Sequence, residues 1–135
     1  MLNIRFIIKM LGIMFILETL FMLAATVVAF LYIGDDLIPL LQSSGIMFGT
    51  GLLFYAIGFR ANEYTAGRRE GMMAVTLTWV FCSLLGMLPF YLGGYINNIT
   101  DAFFETMSGF TTTGSTILSD IETLPHGVLF WRSLT

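Results

Sequence analysis

The stretch "SGFTTTGST", Ser108 to Thr116, concentrates hydroxyl and backbone oxygen in an otherwise largely hydrocarbon chain. Oxygen ligands without formal charge suit a hard monovalent cation that must bind and leave again. The five residues Thr111, Thr112, Thr113, Gly114 and Ser115 are the candidate ligands, through carbonyl or hydroxyl oxygen. Gly114 permits backbone conformations that a side chain forbids. A phosphate cradle is the rival chemistry for a small-residue loop. Phosphate loops usually lead into a helix N-terminus and often add a lysine. Here the loop follows a helical segment and has no lysine near it.

Other reactive side chains are few. Asp101, Glu105 and His126 could be imagined as an intramembrane catalytic or metal group, but no nucleophile–base pairing is visible, and the chain does not read as an enzyme. One cysteine, Cys82, excludes an intrachain disulfide and a cysteine-based metal site. One histidine excludes a multi-histidine site. No resident cofactor is implied. Glu18, ~12 Å into the first apolar run, is an intramembrane acid and so a functional candidate by default. Its plainer role is to face another helix. Cys82 and Trp79 read as packing residues.

These groups sit in a chain of 135 residues that is 56% hydrophobic and 11% charged, with mean hydropathy +0.84. A soluble domain carries roughly 25% charged residues, so the chain reads as an integral membrane protein whose first partner is lipid. No basic patch exists to neutralise phosphates, which excludes nucleic acid. Apolar runs over Met10–Ile33, Leu37–Phe59 and Gly71–Thr100 are each long enough to span, since ~20 residues suffice. The first runs past the core of a signal peptide and shows no clear cleavage site. Arg5 and Lys9 precede span one, and Arg60, Arg68 and Arg69 separate spans two and three. Positive-inside bias then predicts a cytoplasmic N-terminus, "GDD" outside and "RANEYTAGRREG" inside. Gly45 and Gly49 form a G-x-x-x-G pattern that predicts close helix packing in span two. Span three should end near Pro89 to Tyr95.

After span three, Thr100 is the expected N-cap of a short helix, with Asp101 in its first turn. Ala102, Phe103, Thr106, Met107 and Phe110 recur at helical spacing, with Asp101, Glu105 and Ser108 on the other side. About ten residues give ~15 Å, half a bilayer. The order is span, half-helix, polar loop and a new apolar run whose first turn holds Pro125. Irregular backbone at membrane depth is tolerated only where protein or a water-filled path surrounds it, so the arrangement predicts a pore loop. The half-helix would aim its negative C-terminal end at a cation. Arg132 lies ~10 Å into the last helix. Its preferred partner is Glu105, at similar depth, with Asp101 next.

The pattern D-A-x-F-E, S-G-x-T-T-T-G, L-P-H and an aromatic–Arg pair, running from Asp101 to Arg132, resembles the first pore repeat of the Trk/Ktr/HKT potassium uptake family. "GMLPF" at the end of span three is similar as well. The resemblance is specific over 70–135. Over 1–69 it amounts to two leading transmembrane helices joined by a cytoplasmic loop. It implies an all-α integral membrane fold in which the two leading helices precede a helix–re-entrant pore loop–helix unit resembling a potassium channel repeat. It further implies potassium transport (sodium is the other candidate ion) across the bacterial inner membrane. Thr111 to Ser115 would form the filter, supported by Glu105 and Arg132. Three further repeats in a longer chain, a cytoplasmic nucleotide-binding regulatory subunit and a homodimer partner are implied by resemblance alone. A secondary transporter or an accessory subunit with a re-entrant loop remains the alternative.

Overall fold

A computed structural model describes residues 2–60 and 67–135. The expected cytoplasmic loop falls partly, at 61–66, outside the described residues. The described residues are helical, with no strand among them. The elements are α1 (Ile4–Leu31), α2 (Leu37–Gly58), α3 (Arg68–Gly86), α4 (Leu88–Leu92), α5 (Ile99–Phe110) and α6 (His126–Leu134). Three helical stretches are long and apolar enough to cross a membrane: α1, α2 and the α3–α4 run from Arg68 to Leu92.

The third span ends at Leu92, within the expected stretch from Pro89 to Tyr95, but it is not continuous. It breaks at Met87, because Pro89 in the first turn of α4 cannot donate to the preceding turn. The chain then turns through Gly93 and Gly94, the latter at φ +72°. Buried hydroxyls cap their own helices: Thr19 donates to the Phe15 carbonyl at 2.7 Å and Thr106 to Ala102 at 3.0 Å. Such bonds satisfy polar groups where water is absent.

Helix α1 is the hub, lying against α2, α3 and α6. Its close approach to α2 runs through Gly12, Gly51 and Gly58. A Cβ on Gly12 would stand 2.5 Å from the Tyr55 backbone nitrogen, and one on Gly58 2.6 Å from Lys9. The expected G-x-x-x-G pair is not used in this way. Gly45 and Gly49 are exposed, and a Cβ on either would meet nothing within 4 Å. The apolar character of α2 is nearly uniform around its axis, so residue type could not say which glycines face α1.

Polar ties mark the two ends of the bundle. At one end the Asn3 backbone N–H donates to Glu70 Oε1 at 3.4 Å, and Glu70 Oε2 accepts from Gly67 N at 2.9 Å. The starts of α1 and α3 are thus neighbours. At the other end Asp36, expected only as an outer-face charge, is fully buried, and its Oδ2 accepts from the Val128 backbone N–H at 2.8 Å. The start of α2 therefore lies against the start of α6.

Candidate functional site

Helix α5 positions the site. Its N-cap is Asn98, whose side chain accepts from Thr100 N at 3.0 Å, so the helix starts before the expected cap at Thr100. Asn offers an acceptor as good as Thr at this position, and the register of the first turn decides between them. The helix runs 12 residues, ~18 Å at 1.5 Å per residue. Its far end reaches mid-bundle. Phe110 shares a recess with Glu18, which lies near the middle of α1.

The helix stops in a Schellman motif. Thr112 N donates to the Gly109 carbonyl at 3.1 Å and Thr113 N to the Ser108 carbonyl at 3.0 Å, which is the paired pattern that satisfies the last carbonyls. The left-handed position of this motif usually holds glycine. Here it holds Thr112, at φ +57°, where a β-branched side chain is strained. Gly114 follows at φ +76°, and a Cβ there would meet nothing within 4 Å. Any penalty for a side chain at Gly114 is therefore conformational rather than steric crowding.

Beyond the stop, side chains hold the loop from behind. Glu105 is buried on α5. Its carboxylate accepts from Thr116 Oγ1 at 2.9 and 3.0 Å and from Ile117 N at 3.2 Å. Arg132 Nε of α6 donates to Glu105 Oε1 at 2.8 Å. Asp101, the other candidate partner, is exposed. Ser108, also buried, donates to the Ser115 carbonyl at 2.7 Å. Thr111 Oγ1 meets the Met107 carbonyl at 2.8 Å and Thr113 Oγ1 at 2.9 Å. Helix α5 thus packs on α3 along one side and lies beneath the loop and α6 along another, leaving Asp101 and Phe104 exposed.

Backbone oxygen remains open along the loop, beginning at the helix end. The backbone carbonyls of Thr111, Thr112, Thr113 and Gly114 accept no hydrogen bond among the described residues, and all four residues are exposed. Ser115 differs, because its carbonyl is already bonded to Ser108. A recess of about 200 Å³ lies between the loop, Gly109 and Arg132. Unbonded carbonyls beside a negative helix end can replace part of a cation's hydration shell.

Sequence reasoning named Glu105 and Arg132 but missed Thr116 and Ser108 as supports. Their hydroxyls are chemically like those of the neighbouring threonines, and only the fold separates outward from inward ones. Trp79, read as a packing residue, is 43% exposed. Glu18 is buried beside Gly86 and the Cys82 thiol, a weak donor, and no other polar group reaches its carboxylate among the described residues. The last helix is capped at Pro125 rather than starting with it.

No protein-family model matches the chain. Among curated proteins it is 33% identical over 129 residues to the Trk system potassium uptake protein TrkH of Vibrio parahaemolyticus, covering 95% of this chain and 26% of that protein. The crystal structure of the potassium transporter TrkH from Vibrio parahaemolyticus superposes with a TM-score of 0.86 at 31% identity, covering 97% of this chain and 28% of that one. The chain is homologous to the Trk potassium uptake proteins. The Trk system potassium uptake protein TrkH of Escherichia coli is 48% identical over 67 residues, covering 49% of this chain and 14% of that protein. The chain thus spans about a quarter of the length of the first two Trk proteins it matches. At that level of similarity the all-helical membrane fold is shared.

Proposed function

We propose that the chain supplies one repeat of a potassium-conducting pore in a bacterial inner membrane, with its N-terminus cytoplasmic. Residues 1–69 form the leading helix pair, and 70–135 form the outer helix, pore half-helix, filter loop and start of the inner helix. Three further repeats complete the ring around the ion. A cytoplasmic nucleotide-binding regulatory subunit and a second copy of the whole protein are the partners. The names of the Trk relatives support potassium as the ion.

One observation carries the reading. Four consecutive carbonyls at the negative end of a half-helix are left unbonded, in a loop that Glu105 and Ser108 hold from behind. Thr111 to Gly114 are the carbonyl ligands in this reading. Ser115 closes the filter and fixes its end through Ser108. Glu105 and Arg132 hold the loop in place and do not touch the ion.

Gly114→Ser tests the filter, with Thr116→Ser as its control. Serine at 114 must either adopt φ +76° or reshape the loop, and ~1–3 kcal/mol of strain is at stake. Because 1.4 kcal/mol is a factor of ten, the ratio of Rb⁺ to Na⁺ uptake should fall about tenfold. Thr116→Ser keeps the hydroxyl that bonds Glu105, so it should keep the ratio. The measurement is uptake by liposomes holding the complete protein that carries this chain. A well-folded Gly114→Ser protein with an unchanged ratio would remove 111–115 from the filter.

A further inference from the structure

We infer that Asp36 is a positioning residue for the filter, acting through α6, and so gives the leading helix pair a part in ion selection. The inference rests on the pore reading above. Asp36 occupies the N-cap of α2, where an Asp side chain ordinarily bonds an amide of its own first turn. It makes no such bond. Its carboxylate instead reaches α6, 92 residues away in sequence, and accepts from Val128 N at 2.8 Å. Val128 lies in the first turn of α6, so the carboxylate sits where two helix N-termini converge, the place most favourable to negative charge.

The surroundings close tightly on this carboxylate, whose Oδ2 is bonded while its Oδ1 has no hydrogen-bond partner among the described residues. Asp36 is 0% exposed. A Cβ on Gly127 would collide with Asp36 Oδ2 and stand 2.6 Å from Ala29 Cβ, and one on Gly34 would collide with Asp36 Oδ1. The turn that delivers Asp36 also ends α1 in a Schellman motif, with Ile33 N on the Phe30 carbonyl and Gly34 N on the Ala29 carbonyl. Ile33 takes the left-handed position, at φ +50°. A strained turn and two close glycines thus aim one acid at the start of another helix.

The consequence lies one turn further along α6. Val128 and Arg132 are four residues apart and share a face, ~6 Å apart along the axis. Arg132 grips Glu105, and Glu105 grips Thr116 and Ile117. A helix held at its first turn keeps Arg132 in register with Glu105. Released at Val128, α6 retains the Trp131 Nε1 bond to the Gly86 carbonyl at 2.9 Å near its far end, but at its first turn only the ring contact of His126 with Tyr32, at 4.2 Å between centroids. That contact involves exposed rings and sets no axial position.

The test uses Asp36→Ala and Asp36→Asn in the complete protein, with two readouts. Amide exchange over 126–132 reports the tie itself, whatever ion is carried. Relative Rb⁺ and Na⁺ uptake reports its effect on the filter. Asp36→Ala should speed exchange in the first turn of α6 about tenfold and lower the uptake ratio by about fivefold. Asp36→Asn keeps an acceptor and should hold both near the parent values. Gly127→Ala, which displaces the carboxylate without removing it, should act like Asp36→Ala and serves if that variant fails to accumulate. Unchanged exchange in Asp36→Ala or Gly127→Ala overturns the inference. Faster exchange with an unchanged ratio reduces Asp36 to a helix cap and also overturns it, as does an Asn variant as impaired as Ala. If the unaltered protein shows no preference for Rb⁺ over Na⁺, the pore reading fails, while the exchange arm still decides the Asp36 tie.

Discussion

Glu105 and Glu18 are both buried acids in the apolar bundle, at 4% and 7% exposure; the first lies on α5 and the second on α1, beside the end of α5. Glu105 receives a guanidinium, a hydroxyl and a backbone N–H. Among the described residues Glu18 is met by no backbone amide, hydroxyl or cation, and only the weakly donating Cys82 thiol faces it. Burial alone therefore says little about what an acid does. The first joins α5, the loop and α6 into one unit. The second stands behind the end of the same helix, next to Cys82 and Phe110, and adds no such joint. Removing an acid that others depend on should cost stability, and removing one that nothing depends on should not.

Glu105→Ala is the largest expected effect. It strands Arg132 and frees Thr116 and Ile117, and breaking a buried pair from one side costs ~3–5 kcal/mol. Thermal unfolding of the purified protein in detergent should drop accordingly, with uptake selectivity lost. Stability within ~1 kcal/mol of the parent would show that the loop does not lean on this carboxylate.

Arg132→Met should cost less, ~1–3 kcal/mol, since Glu105 keeps its hydroxyl and amide donors. The charge exchange Glu105→Arg with Arg132→Glu sharpens this further. It can rebuild the ion pair but not the acceptor role toward Thr116 and Ile117. Folded yield should recover only in part relative to the single variants. Full recovery would mean that the loop contacts contribute nothing.

For Glu18→Met the sign reverses. Methionine replaces a polar group met only by the weak Cys82 thiol with apolar volume, and the unfolding midpoint should rise, by ~1–3 kcal/mol in equivalent stability. A loss of stability would reveal a donor to Glu18 in the complete protein. A gain accompanied by loss of uptake would mark the acid as functional.

The smallest effect is expected for Thr112→Gly, which relieves the left-handed threonine and should stabilise by ~1 kcal/mol. Made on top of Glu105→Ala, the same change should have a smaller effect, because a loop already released no longer holds Thr112 at positive φ. Equal effects in both backgrounds would separate the strain from the Glu105 contacts.

Much of the fold was legible from local pattern. Uncharged runs with arginines between them mark the spans, because hydrocarbon excludes charge. The short helix before "TTTG" follows from its periodicity and a plausible first turn. The pairing of Glu105 with Arg132 could be anticipated from depth and opposite charge. Other features were not legible. Gly45 and Gly49 carry the familiar packing spacing, yet Gly12, Gly51 and Gly58 make the contact. Asp36 reads as a surface charge and is buried under α6.

By itself, then, the sequence determined where hydrocarbon must surround the chain, roughly where each long helix lies, and which short stretch is rich in oxygen. Those properties depend on neighbours a few residues apart. Only the tertiary structure decided which hydroxyls turn inward, which glycines admit another helix, and that an acid at position 36 holds an amide at position 128. Each of these is set by how helices rotate about their own axes when they pack. In helices as evenly apolar as α1 and α2, composition leaves that rotation undetermined, and close contacts between backbones fix it.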